Sequence, residues 1–201
     1  MDNKERIIEG AAGLFRLYGI KAVTMDSIAN HLGISKRTIY ENFSDKDELL
    51  IGVLTWMNEK QKEFLKKILT ESNPIEAIFR ILEMNRSHFQ SMSPAFQADL
   101  KKFFHSVDAK KCQMPDYSHH QEIIERGIQE KLFRNDLNPD LANRCLYFLG
   151  RTVMDDELYP FDLFSRNDVI RNTFINYLKG ISTTRGLDLI NKLEANFIRI
   201  S

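Results

Sequence analysis

The chain has 201 residues, and lysine plus arginine equals aspartate plus glutamate at 28 each, so its formal net charge is zero. That balance excludes a protein that coats nucleic acid by charge alone, and any contact with DNA must be local and geometric. Only 9 glycines and 5 prolines, set against many leucines, isoleucines, lysines and glutamates, favour an all-α fold. The charged opening MDNKERIIEG lacks the apolar core of a secretory signal, and no run of about eighteen apolar residues occurs, which predicts a cytoplasmic protein without a membrane span. Two cysteines, Cys112 and Cys145, offer neither a disulfide framework nor a CxxC metal site.

The first predicted helix opens on Asp2 and Glu5, a capping-box spacing, carries Ile7, Ile8, Ala11, Leu14, Phe15 and Tyr18 on one stripe, and ends at Gly19. Thr24 to Lys46 then reads as a helix-turn-helix. Thr24 caps a short helix with Ile28, Ala29 and Leu32 inward, and small Ala29 lets a second helix cross closely. Gly33 supplies the turn, and Ser35 caps the next helix. In that helix Ile39 and Phe43 face inward, which turns Lys36, Arg37, Thr38, Glu41 and Asn42 outward. A short face rich in hydrogen-bonding groups is what a helix needs to read a major groove.

Asp45 and Lys46 open a long helix predicted to reach about Glu71, which at about 1.5 Å per residue makes a rod of roughly 35 to 40 Å. Beyond it helix follows helix, broken at Asn73-Pro74, Ser93-Pro94, near Met114-Pro115, at Asn138-Pro139, at Tyr159-Pro160 and at Gly180, with no alternating strand pattern. Two late helices carry apolar stripes: Ala142, Cys145, Leu146, Leu149 and Val153 on one, Ile170, Phe174, Tyr177 and Ile181 on the other. Such a pair can pack within one chain or form half of a four-helix bundle completed by a second copy, and because a lone helix-turn-helix offers little contact area these residues are the expected dimer interface of a homodimer. Of the 14 phenylalanines most follow the first domain, and with Trp56 the set Phe79, Phe96, Phe103, Phe104 and Phe148 is expected to line an apolar cavity for a hydrophobic or aromatic ligand.

His105, Cys112, His119 and His120 match no zinc spacing and read as loop residues, so neither a metal nor another cofactor is expected. A nucleophile elbow, a glycine-rich phosphate cradle and an HExxH are all missing, so no catalytic residues are assigned. An all-helical enzyme or interaction protein with a structural head is the competing class.

The run TMDSIANHLGISKRTIYENFSDKDEL, with AAGLFRLYGI before it and KGISTTRGLDLI near the end, resembles the tetracycline-repressor (TetR/AcrR) family of bacterial transcriptional regulators. The resemblance implies a three-helix DNA-binding domain over residues 1–46 and a larger helical ligand-binding and dimerisation domain over 47–201. It further implies a homodimer that binds a double-stranded, partly palindromic operator and answers a small-molecule effector, most simply as a repressor, with an activator or a protein-sensing regulator as alternatives. Carried over by position, Lys36 and Arg37 would reach base edges, Tyr40 a phosphate or a thymine methyl, and Thr38, Asn42 and Lys46 phosphates, while Thr24 caps the helix whose N-terminus faces the backbone. Glu41 departs from the pattern, since many members carry a neutral or aromatic residue there. It either pairs with Arg37, four residues before it, or accepts from a cytosine amino group.

Overall fold

The computed structural model describes residues 2–106, 118–153 and 155–199, with side chains for 2–103, 121–153 and 155–197. Helices α1 (Asn3–Tyr18), α2 (Met25–Leu32), α3 (Lys36–Asn42) and α4 (Lys46–Glu71) are followed by α5 (Pro74–Gln90) and α6 (Pro94–Ser106). Then come α7 (Ser118–Gln129), α8 (Pro139–Thr152), α9 (Arg166–Ile170), a π-helical turn (Arg171–Ile175), α10 (Asn176–Gly180) and α11 (Thr184–Arg199). Among the described residues there is no β-strand, only an isolated antiparallel bridge between Phe133 and Ser182.

The helix starts follow from capping chemistry. Three prolines occupy first helical positions, where the missing N–H costs nothing, and each follows a residue whose side chain accepts from the first turn. Asn73 accepts from Glu76 N–H at 3.0 Å, Ser93 from Phe96 N–H at 3.2 Å and Asn138 from Leu141 N–H at 3.1 Å. Asp2 stands at the start of α1, but its side chain makes no capping hydrogen bond there, so the expected capping box is not formed.

The chain folds into two compact units. The first runs from the N-terminus to Glu63 and takes in α6. Its core joins Ile7, Ala11 and Phe15 of α1, Ile28 and Ala29 of α2, Ile39, Phe43, then Leu49, Leu50 and Val53 of α4, with Phe96 of α6 added. α6 is tied on by two backbone-directed bonds: Ser93 N–H donates to the Arg16 carbonyl at 2.9 Å, and Asp99 Oδ2 accepts from Lys21 N–H at 2.9 Å.

The second unit holds the rest of α4, α5 and the chain from α7 onward. Its core includes Ile68, Ile75, Phe79, Ile124, Phe133, Leu146, Phe174, Leu178 and Ile190. At the C-terminus of α4, where carbonyls lack helical partners and a cation is favoured, the Arg126 guanidinium donates to the Leu69 carbonyl at 2.5 Å and the Ser72 carbonyl at 3.3 Å. Arg80 adds a bond to Ser72 Oγ at 2.7 Å. No helix among the described residues is long and apolar enough to cross a membrane.

Candidate nucleic-acid interface

The helix-turn-helix is assembled by local groups. Thr24 Oγ1 accepts from Ser27 N–H at 3.1 Å while Ser27 Oγ accepts from Thr24 N–H at 2.9 Å, a reciprocal box that fixes the start of α2. Gly33 sits at φ 64°, a left-handed conformation that favours glycine, and its turn is closed by Ile34 N–H donating to the Ala29 carbonyl at 3.1 Å. Arg6 of α1 reaches the Leu32 carbonyl at 2.8 Å, holding the end of α2. Ser35 Oγ accepts from Thr38 N–H at 3.1 Å and starts α3.

With Ile39 fully buried, the other side of α3 faces solvent. Lys36, Arg37, Tyr40 and Glu41 are all exposed. Arg37 Nε donates to Glu41 Oε1 at 2.8 Å, so of the two fates open to Glu41 the free protein shows the ion pair. Lys36 Nζ lies 2.7 Å from Asp26 Oδ1 and 5.9 Å from the centre of the Tyr40 ring. The hydrogen bond and charge of Asp26 raise the Lys36 pKa above the usual lysine range. Asp26 escaped the reading of α3 alone. Its signal was an acidic residue in the first turn of α2, ten residues before the lysine that it meets.

The remaining expected DNA-binding residues are engaged locally. Thr38 Oγ1 lies 2.8 Å from Ser35 Oγ, and the Asn42 amide donates back to the Thr38 carbonyl at 2.8 Å. Lys46 is half-buried and directs its ammonium at the Lys21 carbonyl, 3.4 Å away. Burial lowers its pKa, against the opposing charge of Asp99.

The buried residues expected to line a ligand cavity belong to separate cores. Phe79 lies in the second core, edge-to-face with Phe197 at 5.7 Å, whereas Phe96 and Phe103 belong to the first. Phe148 is exposed, and the side chain of Phe104 lies outside those described. Trp56 is half-buried, and its indole Nε1 is buried without a hydrogen-bond partner among the described residues.

The expected dimer stripe is largely internal. Ala142, Leu146, Val153, Ile170, Phe174 and Ile181 are buried in the second unit's own core, Leu149 and Tyr177 pack at its edge, and of the nine Cys145 is exposed. The periodic stripe is thus the one the chain needs for itself. Burial and a hydrogen bond to Cys145 push the Tyr177 hydroxyl up to about 12, which keeps it neutral. Cys112 and the side chains of His105, His119 and His120 lie outside the described residues. Among the described residues no group of three His, Cys, Asp or Glu side chains is placed to hold a metal ion.

This geometry, a capped two-helix turn presenting a short polar helix, defines a helix-turn-helix DNA-binding protein. Residues 7–53 match the family model described as bacterial regulatory proteins, tetR family. An HTH-type transcriptional regulator of Staphylococcus aureus (strain MRSA252) is 40% identical over 182 residues, covering 90% of this chain and 92% of the relative. The HTH-type transcriptional repressor KstR2 of Mycobacterium tuberculosis (strain ATCC 25618 / H37Rv) is 28% identical over 153 residues, 70% of this chain and 74% of the relative. Among solved structures, a gamma-butyrolactone receptor described as ArpA-like superposes with a TM-score of 0.64 at 18% identity, covering 99% of this chain and 98% of that one. The chain belongs to the tetR family of bacterial regulatory proteins and is a DNA-binding transcriptional regulator.

Proposed function

We propose that the protein is a repressor that binds a partly palindromic operator as a homodimer and leaves it when a small apolar effector binds. The observation that carries the DNA-reading part is the exposed face of α3, where Lys36, Arg37 and Tyr40 stand out from a helix whose inner side is buried. Lys36 and Arg37 reach base edges, Tyr40 a phosphate or a thymine methyl, and Thr38, Asn42 and Lys46 border the backbone. The name of the mycobacterial relative favours repression. Transcription from the operator promoter, measured with and without the protein, tests that direction: an increase would make it an activator.

The second copy seats on α8. Leu141, Cys145 and Phe148 recur at the helical spacing i, i+4, i+7, and Leu141 and Phe148 are 61% and 64% exposed. An outward apolar stripe of this kind, backed by Leu149 and Tyr177, suits an isologous contact. Phe148→Glu is expected to leave the chain monomeric in sedimentation equilibrium and to weaken operator binding about a hundredfold, because two linked heads bind as one unit. A Phe148→Glu protein that stays dimeric would remove α8 from the interface.

For the effector, the supporting observation is Trp56. A buried indole N–H without a partner is costly, and an apolar small molecule with a carbonyl acceptor would satisfy it. The gamma-butyrolactone receptor fold is compatible with such a ligand. Trp56 is the sole tryptophan of the chain, so its emission reports the site directly. An apolar lactone that releases operator DNA is expected to shift that emission, and release without any shift would place the effector elsewhere.

A further inference from the structure

The two cations of α3 are each matched to a carboxylate of the same helix-turn-helix. Lys36 faces Asp26 at 2.7 Å and Arg37 faces Glu41 at 2.8 Å, and all four side chains are more than half exposed, at 58%, 59%, 86% and 56% in that order. These four side chains together therefore carry no net charge, as the whole chain carries none. Resting on the reading of α3 as the recognition helix, we infer that Asp26 and Glu41 are specificity-determining residues that suppress binding to DNA of arbitrary sequence more than binding to the operator.

The reason lies in how the two modes gain free energy. Binding to arbitrary sequence draws on phosphate neutralisation and counterion release, roughly 0.9 ion per contact. A carboxylate beside a cation cancels its charge there, because opening the pair onto a phosphate leaves the carboxylate facing the same anionic backbone, and no net counterion release is gained. At the operator the same cations give their hydrogen bonds to base edges, where a guanidinium meets guanine O6 and N7 in a fixed fork. The Glu41 carboxylate set free there meets a donor when a cytosine amino group lies opposite, and at a mismatched site it is left facing phosphates. An exposed pair is weak enough to be exchanged in this way. The same logic explains why the pairs are exposed: a buried pair could not open as the helix enters the groove.

The test compares Glu41→Gln, Asp26→Asn and the double variant with the unaltered protein. The probes are a random-sequence duplex and the duplex that the unaltered protein selects from a random pool, each titrated at several salt concentrations. At about 0.1 M salt each substitution is expected to tighten binding to the random duplex about tenfold and to steepen its salt slope by about 0.9. The gain on the selected duplex should be clearly smaller, because there Lys36 and Arg37 already bond base edges, so the ratio of operator to random affinity falls several-fold. Unchanged affinity and slope on the random duplex would overturn the inference, and so would an equal gain on both duplexes. Arg37→Ala is run beside them: if it leaves both affinities untouched, it is the assignment of α3 as recognition helix that fails.

Discussion

Replacing Lys36, Arg37 and Tyr40 together by alanine is expected to weaken binding to the selected operator about a thousandfold while leaving the circular dichroism spectrum unchanged. Base contacts of this kind contribute about 1–3 kcal/mol each, and about 4 kcal/mol lost over three residues corresponds to three decades. The fold survives because none of the three contributes to the core; the inward residue of α3 is Ile39, fully buried beside Ile28, Phe43 and Leu49. Ile39→Ala supplies the opposite result, a loss of about 2–5 kcal/mol of stability from the cavity left behind. Full operator affinity in the triple variant would remove α3 from the interface.

Gly186→Ala is expected to destabilise the second unit by about 3 kcal/mol, against the usual sign for a helical glycine, where alanine stabilises by about 1 kcal/mol. A methyl group at Gly186 would sit 2.2 Å from the Leu132 carbonyl oxygen and 3.0 Å from Ser182 Cβ. Neither can yield easily. That carbonyl accepts from Thr183 N–H at 3.0 Å, and Arg134 N–H donates to the Ile181 carbonyl at 2.9 Å, so the segments on both sides of the contact are laced together. Gly13 of α1, which has nothing within 4 Å of such a methyl, is the control and is expected to gain stability as alanine. At about 2–4 °C per kcal/mol, the melting temperature should fall by roughly 6–12 °C for Gly186→Ala and rise slightly for Gly13→Ala. Similar shifts in both would show that the close approach at Gly186 does not constrain the fold.

The parts of the molecule legible in the sequence are those decided within a few residues. Thr24, Gly33 and Ser35 act on their own helix ends, and Asn73, Ser93 and Asn138 each cap a helix that the following proline begins. What sequence periodicity could not decide is which of two apolar stripes a helix turns inward. On α8 the stripe through Ala142, Leu146 and Val153 fills the chain's own core, and the second, through Leu141, Cys145 and Phe148, is left outside. Lys46 shows the same limit. Its surroundings include Asp99, which approaches only because α6 packs through Phe96 against the N-terminal helices. The π-helical turn at Arg171–Ile175 likewise had no signal in the residues themselves. The Arg37–Glu41 pair was one of two readings of a four-residue spacing, and it is the one the free protein adopts.

The claim that α3 reads sequence as one of a pair of heads is tested most directly by selecting bound duplexes from a random pool with the purified protein and footprinting the product. The expected result is an inverted repeat with its half-sites protected about 34–36 Å apart, one turn of DNA, and a changed base preference within each half-site when Arg37→Ala protein is used. Recovery of no common sequence, or of a site that Arg37→Ala selects unchanged, would contradict it.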